Sequence, residues 1–571
     1  MTLKILNSFF TSDDGLDKPL FVSDDTIYNK GMVKRLIQKY VTVAERIKEP
    51  ECILCVQDNL LFIIAYFALL HSGKTIILSS NVREATLNML GIKNIFTDSV
   101  DELSGYNFHK LDLEEVEVNA EIKPFDSKAA KVVFFTSGST GVPKRITKSF
   151  YCLCKELEAV DELLGSRINN NLTTIMTVNV FHLFGMTFAF LYSMAKGLLI
   201  DTKRVDTPEE LSFKLGKHKN TFLISSPAFL DRLARYKNQY AFETEPAVIM
   251  SSGGPLSTQG AQAAKDLLGT SPIEIFGSTE TGMVGYRCQL EDEKWTVPDM
   301  MIAKTGEDGR LHVKSEYIDG GEYIMGDSAE FVSANKFILK GRLDRMVKIE
   351  EKRVSLPELE TALNAHKYVD KAYCLPVKNK NQRINVGACI SLNHEGRRFI
   401  LSKGRKELVD ELKSHMIEHA DKVAVPSKWR FVDEIPVNVQ SKVLVSEIEN
   451  MFASNLSEPV IFAKDINTDT AVFELSFLEG SSYFEGHFPN FALLPGVAQI
   501  HFAVYFGHKL WADIIPSIDI DIEKMTKIKF SNMIRPNQIL KLSLSRNEQE
   551  LSFRYFDDNG NYSSGTFLIR K

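Results

Sequence analysis

FFTSGSTGVPK, residues Phe134 to Lys144, is the stretch on which the reading of this chain turns. An apolar, β-branched run ending at Phe135 passes at once into Thr136, Ser137, Gly138, Ser139, Thr140 and Gly141, and Lys144 closes the segment. Glycines let the backbone approach a polyanion, hydroxyls and amides donate to phosphate oxygens, and a lysine adds charge. The spacing is not that of the GxxxxGK[ST] loop. A Ser/Gly/Thr stretch alone is more often a flexible turn; the strand before it and the lysine after it shift the balance toward phosphate.

Outward from this loop, short apolar runs alternate with helical patterns from about residue 50 to 340. They include Thr75 to Leu78, Lys131 to Phe135, Leu172 to Val178, Phe222 to Ser225, Ala247 to Met250 and Ile273 to Phe276. Strands separated by helices predict parallel sheets with covered faces, hence a large α/β domain. After Gly341 short strands and two helices predict a smaller α+β unit ending near 452. The polar segment 454–459, SNLSEP, is the linker to a further region, where one apolar helix from Val497 to Trp511 lies among strands such as Lys527 to Phe530 and Ile539 to Leu544.

At 571 residues the chain is too long for one core. Its 68 basic and 74 acidic residues leave a net charge of -6, which gives no field for nucleic acid or an anionic membrane surface. The longest apolar run, Leu60 to Leu70, is too short to span a bilayer and predicts a buried helix. The N-terminus shows no secretory signal and the 7 cysteines are an odd number, so a reducing, cytoplasmic setting is expected. Cys52 and Cys55 form a CxxC, but within the apolar ECILCV they read as part of a strand rather than a metal or redox pair.

Further motifs follow the loop in order: FHLFGM (Phe181 to Met186), SSGGPLS (Ser251 to Ser257), IFGSTETG (Ile275 to Gly282), Gly326–Asp327, GRLD (Gly341 to Asp344) and PVNVQSK (Pro436 to Lys442). With TSGSTGVPK, this set resembles the adenylate-forming superfamily of acyl-CoA synthetases, nonribosomal adenylation domains and luciferases, over most of residues 50 to 445. The resemblance implies a large domain over 1–341 and a small mobile domain over 342–452. It implies ATP as substrate, with Thr136, Ser137, Gly138, Ser139, Thr140, Gly141 and Lys144 on its phosphates. Gly253 and Gly254 would form a flat platform for adenine, Phe276 would stack on the base beside Gly277, and Thr279 would bind a phosphate. Glu280, with Thr136, would hold Mg2+, a cation that prefers oxygen ligands. Asp327 and Arg342 would take the ribose, Asp344 would act as hinge, Arg353 and Glu358 align with the small-domain pattern, and Lys442 would stabilise charge at the α-phosphate. His182 is either a core histidine or part of the acyl channel. Ser441 stands where the family has glycine, and so does Glu351; the latter glycine lines the thiol tunnel, so its absence leaves the thiol acceptor open, and CoA and a carrier-protein phosphopantetheine are not distinguished because acceptor recognition is a surface property.

The last region carries GHFPNFALLPGVAQIHFAVYF, Gly486 to Phe506. It resembles 3-hydroxyacyl-carrier-protein dehydratases, especially those of aryl polyene pathways, and implies an α+β hot-dog domain over 453–571 that pairs as a homodimer. Pro495 suits the first helical position, with the Gly496 and Val497 amides aimed at a thioester carbonyl. His487 would remove the C2 proton. The acid expected fourteen residues later is His501 here. Either its imidazolium protonates the departing hydroxyl, or the domain binds acyl chains or dimerises without catalysis, or it runs a thioesterase-like reaction. The reading is therefore an AMP-forming ligase for a fatty, hydroxy or aromatic acid, coupled to a dehydratase-like domain in fatty acid, polyketide or aryl polyene synthesis. The alternatives are a ligase whose hot-dog half only binds acyl chains and dimerises, and a protein that binds nucleotide without turnover. No nucleic acid and no membrane span enter this reading.

Overall fold

A computed structural model of the chain describes residues 5–569 apart from 80, 83, 100–102, 116–119, 137–143, 235–241, 350–351, 379–383, 438–442, 454–457, 479–480, 485–491, 512–514, 516–521, 548–549 and 559. The apolar runs before residue 340 form two large sheets. In the first, Glu51–Cys55 lies parallel between Thr75–Leu78 and Asn94–Thr97. Lys131–Thr136 extends it in parallel and Lys144–Ser149 closes that edge antiparallel, with Thr136 opposite Lys144. The second sheet has eleven strands, the central ones parallel, with Ile273–Ser278 turning back antiparallel into Gly282–Arg287. Parallel strands buried on both faces must be continuously apolar, which is why the sequence pattern marked them.

The helix expected around Leu60–Leu70 runs Asn59–His71 and is buried on every side, as a helix apolar all round is when it packs inside a core. Asp58 caps it, accepting from the Leu60 and Leu61 amides at 2.9 and 3.0 Å. Cys52 and Cys55 lie three apart on one strand, so they face opposite sides of the sheet and join different apolar clusters. Burial pushes the Cys52 thiol up to about 11. No helix among the described residues is long and apolar enough to cross a membrane.

The described residues fall in two compact units, one up to Lys340 and one from Gly341 onward. In the second, Val369–Lys378, Ile384–Leu392 and Lys428–Val432 form a three-stranded sheet, with helices Leu356–Asn364, His394–His419 and Val445–Ala453. The sequence had indicated two helices here. The long one is broken at Gly404, whose φ of 89° only glycine adopts readily, so its periodicity was interrupted.

Six antiparallel strands in the order 460–466, 470–476, 539–546, 550–557, 560–569 and 522–530 then wrap the helix Gly496–Leu510, the hot-dog arrangement. Its first strand and the residues after its second share a core with the small domain: Val460, Phe462 and Leu478 pack with the cluster that holds Leu412, Trp429 and Phe431. Arg397 donates to the Ile461 carbonyl and pairs with Asp433 at 3.2 Å, and Lys464 reaches Asp433 and Glu434 at 3.1 and 2.8 Å. Within the expected linker 454–459, Glu458 is anchored, accepting from Tyr505 and from Lys509.

Candidate functional site

On the edge strand Lys144–Ser149, Lys144 and Lys148 are four residues apart and so share a face with Ile146. Both reach the turn that joins Ile273–Ser278 to Gly282–Arg287 in the other sheet. The Lys144 ammonium donates to Glu280 Oε1 at 3.1 Å and to the Tyr323 hydroxyl oxygen at 3.2 Å, and Tyr323 donates to the same Oε1 at 3.2 Å. Lys148, only 1% exposed, donates to the Glu280 carbonyl at 3.3 Å. The site therefore lies where an edge strand of one sheet meets the turn at the end of two interior strands of the other.

The turn is shaped from within as well. Thr281, fully buried, accepts from the Ser278 amide at 3.0 Å and donates to the Gly282 carbonyl at 2.9 Å. Gly277 is required, because a Cβ there would run into the Gly282 carbonyl. Burial pulls the Glu280 carboxyl upward, but its own amide, Lys144 and Ser278 outweigh that pull and hold it below the ordinary carboxylate value. Tyr323 first, then Glu280, raises the Lys144 ammonium above its usual value. The carboxylate is ionised and half-shielded, with its side chain 17% exposed.

Such a carboxylate fits magnesium, a hard cation held by one or two carboxylates plus phosphates and water. The described residues contain no group of three or more His, Cys, Asp or Glu that would cage a metal without those phosphates. Thr136 ends its strand beside this site, and its side chain and the loop residues Ser137, Gly138, Ser139, Thr140 and Gly141 lie outside the described residues.

The remaining expected nucleotide residues are spread along the same sheet. Gly253, at φ 98°, and Gly254 are exposed on the loop after Val248–Ser251 with open space before them, and Ser252 ties that loop to the Ile275 carbonyl at 3.0 Å. Phe276 is half-buried, its ring 5.5 Å from Trp295 and 6.0 Å from Phe337. Thr279 sits in the turn beside Glu280. Asp327 opens the strand Asp327–Ser333 and Arg342 ends Lys336–Arg342. Asp344 falls in a short turn and Arg353 in the strand Lys352–Ser355, with side chains outside the described residues, as are Glu351, Ser441 and Lys442 altogether. Glu358 lies in the first turn of Leu356–Asn364.

Phe181, His182, Leu183 and Phe184 are half-buried against the main core, and Gly185–Tyr192 continues as a π-helix, all eight residues buried. A Cβ on Gly185 would collide with the Asn179 carbonyl, so the segment turns there only with glycine.

In the hot-dog domain, Pro495 is the N-cap, not the first helical residue: its ψ of 146° is extended, and its carbonyl accepts from the Gln499 amide at 3.1 Å. Proline's fixed φ suits either position, so ψ decides. Gly496 carries the Phe530 ring against its backbone, where a Cβ would come within 2.6 Å, and Val497 is 79% exposed. His501, half-buried, lies 5.3 Å from the Phe502 ring and 6.3 Å from the Tyr505 ring. His487 lies outside the described residues.

Three residues around the Glu280 turn had not been singled out from the sequence: Lys148, Glu156 and Tyr323. The signals were present. Lys148 falls in phase with buried Ile146, and Glu156 falls among Cys152, Leu153, Leu157 and Val160 on the apolar face of Phe150–Leu164.

Residues 53–306 match the AMP-binding enzyme family, 358–442 the AMP-binding enzyme C-terminal domain, and 463–566 the ApeI dehydratase family. The chain is 25% identical over 411 residues to a 4-hydroxybutyrate–CoA ligase of Metallosphaera sedula, covering 64% of this chain and 69% of the relative. It is 23% identical over 391 residues to the D-alanine–D-alanyl carrier protein ligase of Staphylococcus aureus, covering 61% and 77%. The AMP-bound O-succinylbenzoate coenzyme A synthetase of Bacillus subtilis superposes with a TM-score of 0.66 at 17% identity, over 78% of this chain and 98% of that one. The adenylate-forming fold is thereby shown.

Proposed function

We propose that this chain, an AMP-binding enzyme with an ApeI-like dehydratase domain joined behind it, activates a carboxylic acid with ATP and passes the acyl group to a pantetheine thiol. The observation that carries the reading is the convergence of Lys144, on the edge strand of one sheet, on Glu280, in a turn between interior strands of the other, with Gly253, Gly254 and Phe276 on that same second sheet. In the first half-reaction a carboxylate oxygen attacks the α-phosphorus, the bond to the β-phosphate breaks and pyrophosphate leaves. Lys144, the loop after Thr136 and Thr279 hold phosphate oxygens, Asp327 and Arg342 the ribose, and Lys442 offsets charge at phosphorus. Magnesium held by Glu280 and Thr136 would neutralise phosphate charge. In the second, the thiol sulfur attacks the acyl carbon, AMP departs and the thiol proton passes to solvent; Arg353 belongs to the small-domain face of this stage. CoA and a carrier protein both fit as acceptor. We place the reaction in the cytoplasm, where ATP and reduced thiols are at hand.

For the hot-dog domain we propose dehydration of a 3-hydroxyacyl thioester. His487 takes the C2 proton, His501 as imidazolium protonates the departing hydroxyl, and a 2-enoyl thioester and water result. The domain would act as a homodimer, in a pathway of the fatty acid, polyketide or aryl polyene kind. The second reading, an acyl-binding and dimerising module without catalysis, is favoured by one observation: a histidine, His501, stands where the related enzymes carry a carboxylic acid.

Acid-dependent ATP–pyrophosphate exchange over short, medium, 3-hydroxy and aromatic acids tests the ligase half without an acceptor. Exchange is expected with one class and is abolished in Lys442→Ala; silence across the panel in folded protein refutes it. Enoyl absorbance from a 3-hydroxyacyl thioester, lost in His487→Ala, separates the two hot-dog readings.

A further inference from the structure

Behind the Glu280 turn lie two buried ionisable side chains that nucleotide contact does not require. Glu156, on the helix Phe150–Leu164, is 2% exposed and accepts from the Met283 amide at 2.9 Å through Oε1, while its Oε2 has no hydrogen-bond partner. Burial raises the Glu156 carboxyl above its ordinary value, and Lys148, fully buried, acts on it electrostatically in the opposite sense and donates to the Glu280 carbonyl. The Tyr317 hydroxyl donates to the Met283 carbonyl at 2.6 Å. Gly282, at φ 69°, is where the chain passes over Glu156; a Cβ there would stand 2.8 Å from the carboxyl carbon. The segment 280–283 is thus gripped at its first carbonyl by Lys148 and at its last residue by Glu156, on the Met283 amide, and Tyr317, on the Met283 carbonyl, from groups shut off from water.

A hydrogen bond to a buried ion is stronger and more directional than one to a solvated group. Hydrophobic fillers would pack this space at lower desolvation cost, so a lysine and a glutamate buried here, each bonded to main chain, are not explained by stability alone. What it does offer is a fixed backbone beneath one side chain, the carboxylate at Glu280.

We propose that Lys148 and Glu156 are positioning residues for that carboxylate: by clamping the main chain of residues 280–283 they set the place where the metal accompanying ATP is received. This rests on the adenylation reading above. It goes beyond that reading in assigning metal-dependent nucleotide affinity to two residues that touch neither metal nor nucleotide. The two lysines of one strand divide the task, Lys144 meeting the Glu280 side chain and Lys148 its main chain.

The test titrates Mg2+ against binding of a non-hydrolysable ATP analogue to the full chain, with Mg2+-free AMP binding as reference. Lys148→Met and Glu156→Leu are each expected to raise the half-saturating Mg2+ concentration about tenfold and to leave AMP affinity within twofold. Glu156→Gln keeps an acceptor for the Met283 amide and should stay within threefold of the unmodified chain. Each Glu156 variant is read independently of Lys148→Met, so a variant that fails to fold leaves the other to decide. An unchanged Mg2+ requirement in folded Lys148→Met or Glu156→Leu overturns the proposal, as does an equal loss of AMP and analogue binding, which marks a structural role only. An unmodified chain that binds neither nucleotide overturns the adenylation reading itself, a result visible before any variant is made.

Discussion

The large unit and the hot-dog domain satisfy their buried polar groups with different chemistry. In the large unit charged side chains are paired at low exposure: Arg287 with Glu274, Lys196 with Asp161, and Lys214 with Asp201. Under the hot-dog sheet the central network is neutral. Gln499 donates to the Leu494 carbonyl at 3.0 Å, Ser563 donates to Gln499 Oε1 at 2.5 Å, and Tyr555 donates to the Gln499 carbonyl at 3.1 Å. The proposed chemistries differ in the same sense, since polyphosphate and a metal need strong fixed fields whereas a thioester is uncharged. Desolvating a charge costs several kcal/mol, so the first scaffold is rigid only while every partner is present.

The largest expected effect breaks a charged pair. Arg287 grips Glu274 through two bonds of 3.0 Å, and Glu274 keeps one further bond, from Gln289 at 2.9 Å. Arg287→Leu should therefore cost about 3–5 kcal/mol in urea unfolding of the large unit, because it leaves a buried carboxylate half-satisfied. Adding Glu274→Leu should recover part of that loss. A single-variant cost below about 1 kcal/mol would remove the distinction between the two scaffolds.

The matching change in the hot-dog domain is Gln499→Leu. It strands the Leu494 carbonyl and the Ser563 hydroxyl, neutral groups whose desolvation costs about 1–3 kcal/mol. A hot-dog transition destabilised as much as by Arg287→Leu would show that buried neutrality carries no advantage here.

How much of this was legible in the sequence depends on what each element reports locally. Parallel strands such as Glu51–Cys55 and Thr75–Leu78 announce themselves because both faces are buried, and the helix Asn59–His71 does so for the same reason. The π-helix Gly185–Tyr192 was hidden, since a run that is apolar all round has no polar residue to reveal its period. The core shared by the small domain and the hot-dog strand was hidden because SNLSEP is a local polar signal, whereas Val460 and Phe462 fit either core equally well. At the site, order and spacing of motifs pointed to Lys144, Glu280 and Asp327. Lys148 and Glu156 needed a different question, namely which charges fall in the phase of buried neighbours. Pro495 moved by one position because φ is common to N-cap and first turn.

The smallest expected effect sharpens the comparison through pH. His71 ends the helix Asn59–His71, its Nδ1 2.7 Å from the Lys123 carbonyl oxygen and its ring 5.0 Å from Phe125, and burial lowers its pKa to about 4. Below about 6.5 the unfolded chain takes up a proton that the folded chain refuses until about 4. The unfolded state then binds more protons, so stability falls as pH falls through that window, by at most about 1.4 kcal/mol per pH unit. The Gln499 network, made of an amide, an alcohol and a phenol raised by burial, has no group that titrates there. Between pH 7 and pH 5.5 the large unit should lose about 1 kcal/mol through His71, and His71→Gln should flatten that slope while leaving the hot-dog transition unmoved. Equal slopes in the two chains would assign the acid sensitivity elsewhere, and an equal slope in the hot-dog transition would show that its neutral interior does not shield it from acid.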